Sequence, residues 1–234
     1  MSELLIATTN QGKKREFETL FHRIFDSSWT LTDLGQLDPR PAEVVEDAET
    51  FHGNAIKKAV EYAEVVGLST LSEDSGLSVD ALDGAPGVYS ARFSGEGATD
   101  ARNNALLVER LAGVPDADRT ARYVSVLCLA LGSDEAGQRL RARLGLPAHE
   151  ALPEGAPEQP GAAGRVGQWA VIWFLGTVEG TIRDEARGEH GFGYDPHFLL
   201  AGEARHMAEL TAQEKGLISH RGNALRAFEA AMRG

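Results

Sequence analysis

The sequence predicts an α/β protein on three observations: apolar runs of strand length, apolar residues recurring at helical spacing, and alternation of the two along 234 residues. With 42% hydrophobic and 25% charged residues, the composition is that of a globular chain able to bury one substantial core. A single domain over residues 1–234, drawn out into two lobes, is the expectation.

The first strand is Leu4 to Ala7, closed by the polar turn Thr8-Thr9-Asn10-Gln11-Gly12. A helix follows, with Phe17, Leu20, Phe21, Ile24 and Phe25 three or four residues apart on one face. A second helix runs from Thr50 to Val66: Phe51, Ala55, Ala59, Tyr62, Ala63 and Val66 make its apolar stripe, and Gly67 is placed to stop it. Asn54 and Lys58, four apart, share a face of that helix. Leu68 to Leu71 predicts a short strand leading into Glu73-Asp74-Ser75-Gly76, which puts the acidic pair at a strand's C-terminal end, where open α/β sheets place ligands.

A third helix, Thr99 to Ala112, is ended by Gly113 and Pro115, and strands follow at Ala121 to Leu131 and Trp169 to Val178. Between these strands, residues 132–168 hold seven glycines and four prolines, which leaves little periodicity. That composition predicts a Gly/Pro-rich insertion without regular structure, either a lid or a disordered excursion. Thr211-Ala-Gln-Glu214 has the form of a capping box, and a closing helix after Ser219 carries Leu225, Phe228 and Met232 on one side.

Charge narrows the partners. The formal net charge of -12, from 23 Lys and Arg against 35 Asp and Glu, disfavours a nucleic-acid polymer, whose binding requires a basic face that neutralises several phosphates at once. A small polyanion held by a few local cations and a metal ion is compatible with the same balance. The lone cysteine, Cys128, lies in the apolar run Val124 to Leu131, so no intrachain disulfide forms and a buried thiol in a cytoplasmic protein is expected. Glu3, Lys13, Lys14, Arg15, Glu16 and Glu18 interrupt any secretory apolar segment, and the longest apolar runs are too short to cross a bilayer.

Three groups of residues suit phosphate and base chemistry. The turn Thr8 to Lys13 offers hydroxyls, amide N–H groups at a helix start and a lysine, a combination that fits a phosphate chain but equally an ordinary capped helix. It is not a P-loop, because the glycine spacing before the lysine is absent. Carboxylates at Glu43, Glu46, Asp47, Glu49, Glu73 and Asp74 include candidates for magnesium, which takes one or two protein carboxylates alongside water and phosphate oxygens. In the turn Gly188 to Pro196, Gly191 and Gly193 allow close approach to a flat ring on which Phe192 or Tyr194 stacks, with Asp195, Lys215, His220 and Arg221 polar enough to read its edge.

Taken in order, these segments carry a resemblance: Thr8-Thr-Asn-Gln-Gly-Lys13 with Glu16, Thr50-Phe-His-Gly-Asn-Ala55 with Lys58, Glu73-Asp-Ser-Gly-Leu77, Gly84-Ala-Pro-Gly-Val-Tyr-Ser-Ala-Arg92, Gly191-Phe-Gly-Tyr-Asp-Pro196, Ala208-Glu-Leu210 with Glu214-Lys215, and Ser219-His-Arg-Gly222. Over nearly its full length the chain resembles the inosine/xanthosine triphosphate pyrophosphatase family, also known as Ham1-like. The resemblance implies a homodimer whose subunits have an elongated mixed β-sheet flanked by helices, with a deep nucleotide-binding cleft between two lobes. It implies magnesium-dependent hydrolysis of the non-canonical purine nucleoside triphosphates ITP, dITP and XTP to monophosphate and pyrophosphate, removing deaminated purines from the nucleotide pool.

Carried over by position, the resemblance assigns Thr8, Thr9, Asn10, Gln11, Gly12, Lys13 and Lys58 to the triphosphate. It assigns Glu46 and Asp74 to magnesium and Asp74 also to the attacking water. Ser75 contacts substrate nearby, while Phe192, Gly193, Tyr194, Asp195, Lys215, His220 and Arg221 make the base pocket. Two departures stand out: Glu73 where the family often has aspartate, and the length of the 132–168 insertion. Retention of both Glu46 and Asp74 argues against a binding module that lacks catalysis.

Overall fold

The computed structural model describes residues 1–9 and 11–233, with Gln11, Gly12, Glu16 and Leu20 described by backbone alone. The chain contains β1 (Ser2–Ile6), α1 (Gln11–Ile24), β2 (Trp29–Asp33), α2 (Phe51–Val66), β3 (Thr70–Val79), α3 (Asp100–Arg110), β4 (Thr120–Leu131), α4 (Glu135–Arg143), β5 (Ala163–Val166), β6 (Trp169–Ile182), β7 (Phe198–Leu200), α5 (Ala212–Ile218) and α6 (His220–Ala231). The strands run in the order β2-β1-β3-β4-β6-β5, with β7 also on β6. β1 is parallel to β2 and β3, whereas β5 and β7 are antiparallel to β6, so the sheet is mixed and the class is α/β. Two compact units divide the chain: Met1–Asp74, Val126–Leu175 and Ala224–Gly234 form the first, Ser75–Ser125 and Gly176–Asn223 the second.

In the first unit the apolar stripe predicted for α1 faces the core at its phenylalanines, with Ile24 half-buried and the Leu20 side chain outside the described residues. Phe17, Phe21 and Phe25 are buried, and Phe25 lies 4.7 Å from Phe21 and 4.5 Å from Trp29, ring centre to ring centre. Leu225, Phe228 and Met232 of the C-terminal segment join the same core with Leu127, Leu129 and Leu131 of β4. Each such side chain contributes about 1.5–3 kcal/mol through removal from water. α2 begins and ends where its sequence requires: the Thr50 hydroxyl accepts the Gly53 N–H at 3.1 Å, and Gly67, at φ 78, donates to the Ala63 carbonyl at 2.8 Å.

The 132–168 segment is not the structureless excursion its composition suggests. It opens with α4, whose Asp134 cap accepts the Gly137 N–H, and closes with β5 paired to β6. Ala136 and Leu140 are fully buried, and Leu152 nearly so. Two physical reasons hid this. Leu140 is the one large apolar side chain on the buried face of α4, too little for a visible period. Gly137, which reads as a breaker, is required by packing: a Cβ there would stand 2.4 Å from the Gly132 carbonyl oxygen and 2.5 Å from the Ser69 hydroxyl.

The second unit has its own core of Leu77 and Val79 from β3, Leu107 and Leu111, Ala121 and Tyr123 from β4, Ile182 of β6, and Tyr194, Phe198, Leu200, Met207 and Leu210. Thr99 caps α3 by accepting the Arg102 N–H at 3.2 Å. The predicted capping box holds on α5: Thr211 accepts from Glu214 N–H at 3.2 Å, and Glu214 accepts from Thr211 N–H at 2.9 Å.

Candidate functional site

The acidic pair is placed by the end of a neighbouring strand, not by the end of its own. β3 extends through Glu73 and Asp74 to Val79, so the strand-end position predicted for the pair is corrected to a strand interior. β1 pairs with β3 through Leu5 and Thr70, then Ile6 and Leu71, and Ala7 donates to the Leu71 carbonyl at 2.8 Å. The Thr8 N–H then turns back to the Ile6 carbonyl at 2.8 Å, and the chain leaves the sheet for α1. Glu73 and Asp74 therefore lie just past the C-terminal end of β1, beside the start of the following helix, which is the location that favours ligands in parallel sheets. The strand runs on because Leu77 and Val79 are fully buried beyond the acids.

Both acids are buried, Glu73 at 4% and Asp74 at 7% exposure, and each is surrounded by compensating groups. Lys13 reaches Glu73 at 3.0 Å. Lys58 of α2 donates to the Glu73 carbonyl oxygen at 3.0 Å and forms an ion pair with Glu46. One turn earlier on α2, the fully buried Asn54 accepts the Ala48 N–H at 2.8 Å, which fixes the segment that carries Glu46. Burial lifts the Asp74 carboxyl from 3.8 to about 6; the charge of Glu46 pushes the same way, opposed by Lys58, the Asn54 amide and Lys13. Two carboxylates near enough to repel, with lysines alongside, are groups of the kind that can hold a divalent cation together with a phosphate. Among the described residues no three His, Cys, Asp or Glu side chains gather into a metal cluster.

Thr8 is half-buried and Thr9 exposed; Asn10 and all but the backbone of Gln11 and Gly12 lie outside the described residues. Ser75, half-buried, follows Asp74 directly and is the first residue of the second unit.

The second unit contains the residues expected to hold a base. Gly191 sits at φ 88, and a Cβ there would come within 2.1 Å of the Asp195 carboxylate and 2.8 Å of the Lys215 ammonium, so glycine is required. Asp195 is buried, accepts the Phe192 N–H at 3.0 Å and forms an ion pair with Lys215. The Phe192 ring is 56% exposed, with the Lys215 ammonium 5.1 Å from its centre. Gly193 is held through its backbone by α3: Asp100 accepts its N–H at 2.7 Å and Asn104 donates to its carbonyl at 2.9 Å. Tyr194 is a core residue whose hydroxyl donates to the Ser90 carbonyl at 2.7 Å, which leaves Phe192 as the exposed aromatic of the turn.

His220 is buried and stacks on Tyr123, with ring centres 4.8 Å apart and planes 14° off parallel. Arg221 is buried beside it in the chain. Burial and the charge of Asp195 hold the Tyr123 phenol well above its usual range, so it stays neutral.

Sequence reasoning missed Asn54, Asp100, Asn104 and Tyr123 as members of these clusters. Asn54 had a readable signal, its spacing from Lys58; the other three act on partners almost a hundred residues away and had none. The sequence model of the Ham1 family matches residues 4–143 and 163–231, and these spans include every residue of both clusters. This chain belongs to the Ham1 family.

The family match takes in α4 and β5 and leaves residues 144–162 as its one internal gap. Among relatives of this Ham1 family chain are a dITP/XTP pyrophosphatase of Exiguobacterium sibiricum, 43% identical over 98% of this chain and 96% of that one, and one of Chromobacterium violaceum, 42% identical over 99% and 97%. Solved structures with the same fold include a HAM1 protein from Coxiella burnetii, with a TM-score of 0.77 at 33% identity covering 99% of this chain and 98% of that one. The Staphylococcus aureus Ham1 protein has a TM-score of 0.74 at 32% identity, covering 98% and 97%.

Proposed function

We propose that this Ham1 family protein is a magnesium-dependent hydrolase of non-canonical purine nucleoside triphosphates, taking ITP, dITP and XTP to the monophosphate and pyrophosphate. The observation that carries the proposal is the first unit's cluster of Asp74, Glu46, Lys13 and Lys58, in which a buried carboxylate with a raised pKa is ringed by two lysines and a second carboxylate. The dITP/XTP pyrophosphatase relatives supply the substrate class.

Phosphoryl transfer asks a protein for positioning and charge stabilisation rather than covalent chemistry. Lys13 and Lys58 exchange their carboxylate partners for phosphate oxygens when substrate arrives, and the N-terminal turn from Thr8, Thr9 and Asn10 through Gln11 and Gly12 contributes hydroxyl and amide groups. Asp74 accepts the proton of the attacking water, and a carboxyl poised near 6 is largely ionised at neutral pH while remaining basic enough for that task. Glu46 and Asp74 fit magnesium, as a pair of mutually repelling carboxylate oxygen donors. When bound, the ion supplies charge neutralisation at the phosphate oxygens. Ser75 contacts the substrate next to Asp74.

The base is assigned to the second unit. Phe192 offers the stacking face, flanked by the Gly193 backbone, while Tyr194 and Asp195 hold the turn. Lys215, His220 and Arg221 supply donors to a purine oxygen at position 6, against which an adenine amino group leaves a buried donor unpaired at a cost of about 1–3 kcal/mol. A homodimer in the cytoplasm belongs to the same proposal, supported by the family resemblance and by the single, fully buried cysteine. The test is a panel of nucleotides with magnesium, scored for pyrophosphate. ITP, dITP and XTP should be cleaved far faster than ATP or GTP; release of orthophosphate in place of pyrophosphate, or equal rates across the panel, would refute the assignment.

A further inference from the structure

An aromatic ring 56% exposed, touched on its face by the Lys215 ammonium at 5.1 Å, has little packing of its own to hold it, so Phe192 takes its position mainly from its backbone. That backbone is intrinsically loose, because Gly191 at φ 88 and Gly193 at φ 64 flank it. Both peptide groups of Gly193 are nonetheless fixed: its N–H donates to Asp100 at 2.7 Å, and its carbonyl accepts from Asn104 at 2.9 Å. Asp100 and Asn104 are four residues apart and share one face of α3. The helix is itself a firm reference: Leu107 is fully buried, Thr99 caps the first turn, and Asn103 ties it to the Ser94 N–H at 2.9 Å and to the carbonyls of Ser90 and Ala91.

We propose that Asp100 and Asn104 are positioning residues for base recognition, clamping the Gly193 peptide so that Phe192 is presented as a fixed stacking platform. The inference rests on the reading of Phe192 as that platform under Proposed function. A preorganised platform binds a base without an ordering cost at the moment of binding, whereas one released from α3 loses affinity in its base contacts alone. Neither residue belongs to the unit that carries Lys13, Glu46, Lys58 and Asp74. The clamp should therefore govern affinity for the base and leave the phosphate chemistry alone.

The test compares the parent with the D100A/N104A double variant and with Asp100→Asn, whose amide oxygen still accepts the Gly193 N–H. In the double variant KM for ITP should rise about tenfold while kcat stays within about twofold, inhibition by inorganic tripolyphosphate should be unchanged, and Asp100→Asn should restore most of the loss. A KM within about twofold of the parent, or equal weakening of tripolyphosphate, overturns the proposal. The clamp is read separately with F192W. Trp29, Trp169 and Trp173 are buried at 6%, 4% and 5% exposure, so acrylamide quenching reports on position 192. Quenching and local mobility of the F192W indole should increase when D100A/N104A is added, and no change overturns the clamp. Should the parent fail to cleave ITP, the functional reading falls, while the F192W measurement still decides the clamp.

Discussion

Burial and the charge of Glu46 lift the Asp74 carboxyl from 3.8 to about 6, and this shift has consequences for stability as well as for chemistry. A carboxyl whose pKa is raised on folding holds its proton more tightly in the folded chain, so the folded state loses stability as pH climbs from about 4 through about 6. The ceiling on that loss is ~3 kcal/mol, from a shift of about two units. Asp74→Asn removes the titrating charge. In chelator at pH 8 the variant should melt at a higher temperature than the parent, and the gain should vanish below about pH 4, where the parent is protonated as well. The same variant should lose turnover of ITP by about a hundredfold or more, because an amide cannot take the proton of the attacking water. Thermal melts across pH and steady-state rates check both halves; near-normal turnover would remove Asp74 from its assigned role.

Some elements in this fold depend on residues whose purpose is visible only when a neighbour distant in sequence is known. Gly137 is the sharpest case, since a side chain there has no room between the Gly132 carbonyl and the Ser69 hydroxyl. Ser69 is also hydrogen-bonded to the α4 cap, Asp134, at 3.0 Å through its N–H, so α4 and the start of β3 are braced together. Gly137→Ala should cost about 1–3 kcal/mol through overpacking, despite the higher helix propensity of alanine. Chemical denaturation checks the sign, and a stabilised variant would show that α4 is not packed as described.

The same distinction explains what could be read from the sequence. Local devices were legible: the Gly67 stop of α2, the Thr211 and Glu214 capping box, and the phenylalanines of the α1 stripe all follow from residues within a few positions of each other. The length of β3 was not, because a charged pair reads as a strand end until Lys13 is known to pair with Glu73 and Lys58 to favour the charged form of Asp74. For the candidate site, Asp74, Glu46 and Lys58 were legible from motif order and helix spacing. The stacking of Tyr123 on His220 and the hold of α3 on Gly193 join segments far apart in sequence, and no local pattern announces either.

For the molecule as a whole, a net charge of -12 coexists with small sites rich in cations, and these two facts predict different behaviour toward short and long polyanions. A polymer must lay many phosphates along the surface at once, and its affinity grows with the number neutralised. Here the lysines of each unit's cluster are already matched to carboxylates, Lys13 to Glu73 and Lys58 to Glu46 in the first unit and Lys215 to Asp195 in the second. They are few, partly buried and unable to serve an extended backbone, whereas a compact triphosphate can displace the carboxylates locally. Double-stranded DNA of twenty or so base pairs at about 10 μM should therefore neither shift in a gel with the protein nor slow ITP cleavage at low salt, where non-specific binding would be strongest. Inorganic tripolyphosphate at millimolar concentration should inhibit competitively under the same conditions. Inhibition by the duplex that disappears with added salt would mean that the protein carries a basic face despite its net charge of -12, and would overturn the expectation.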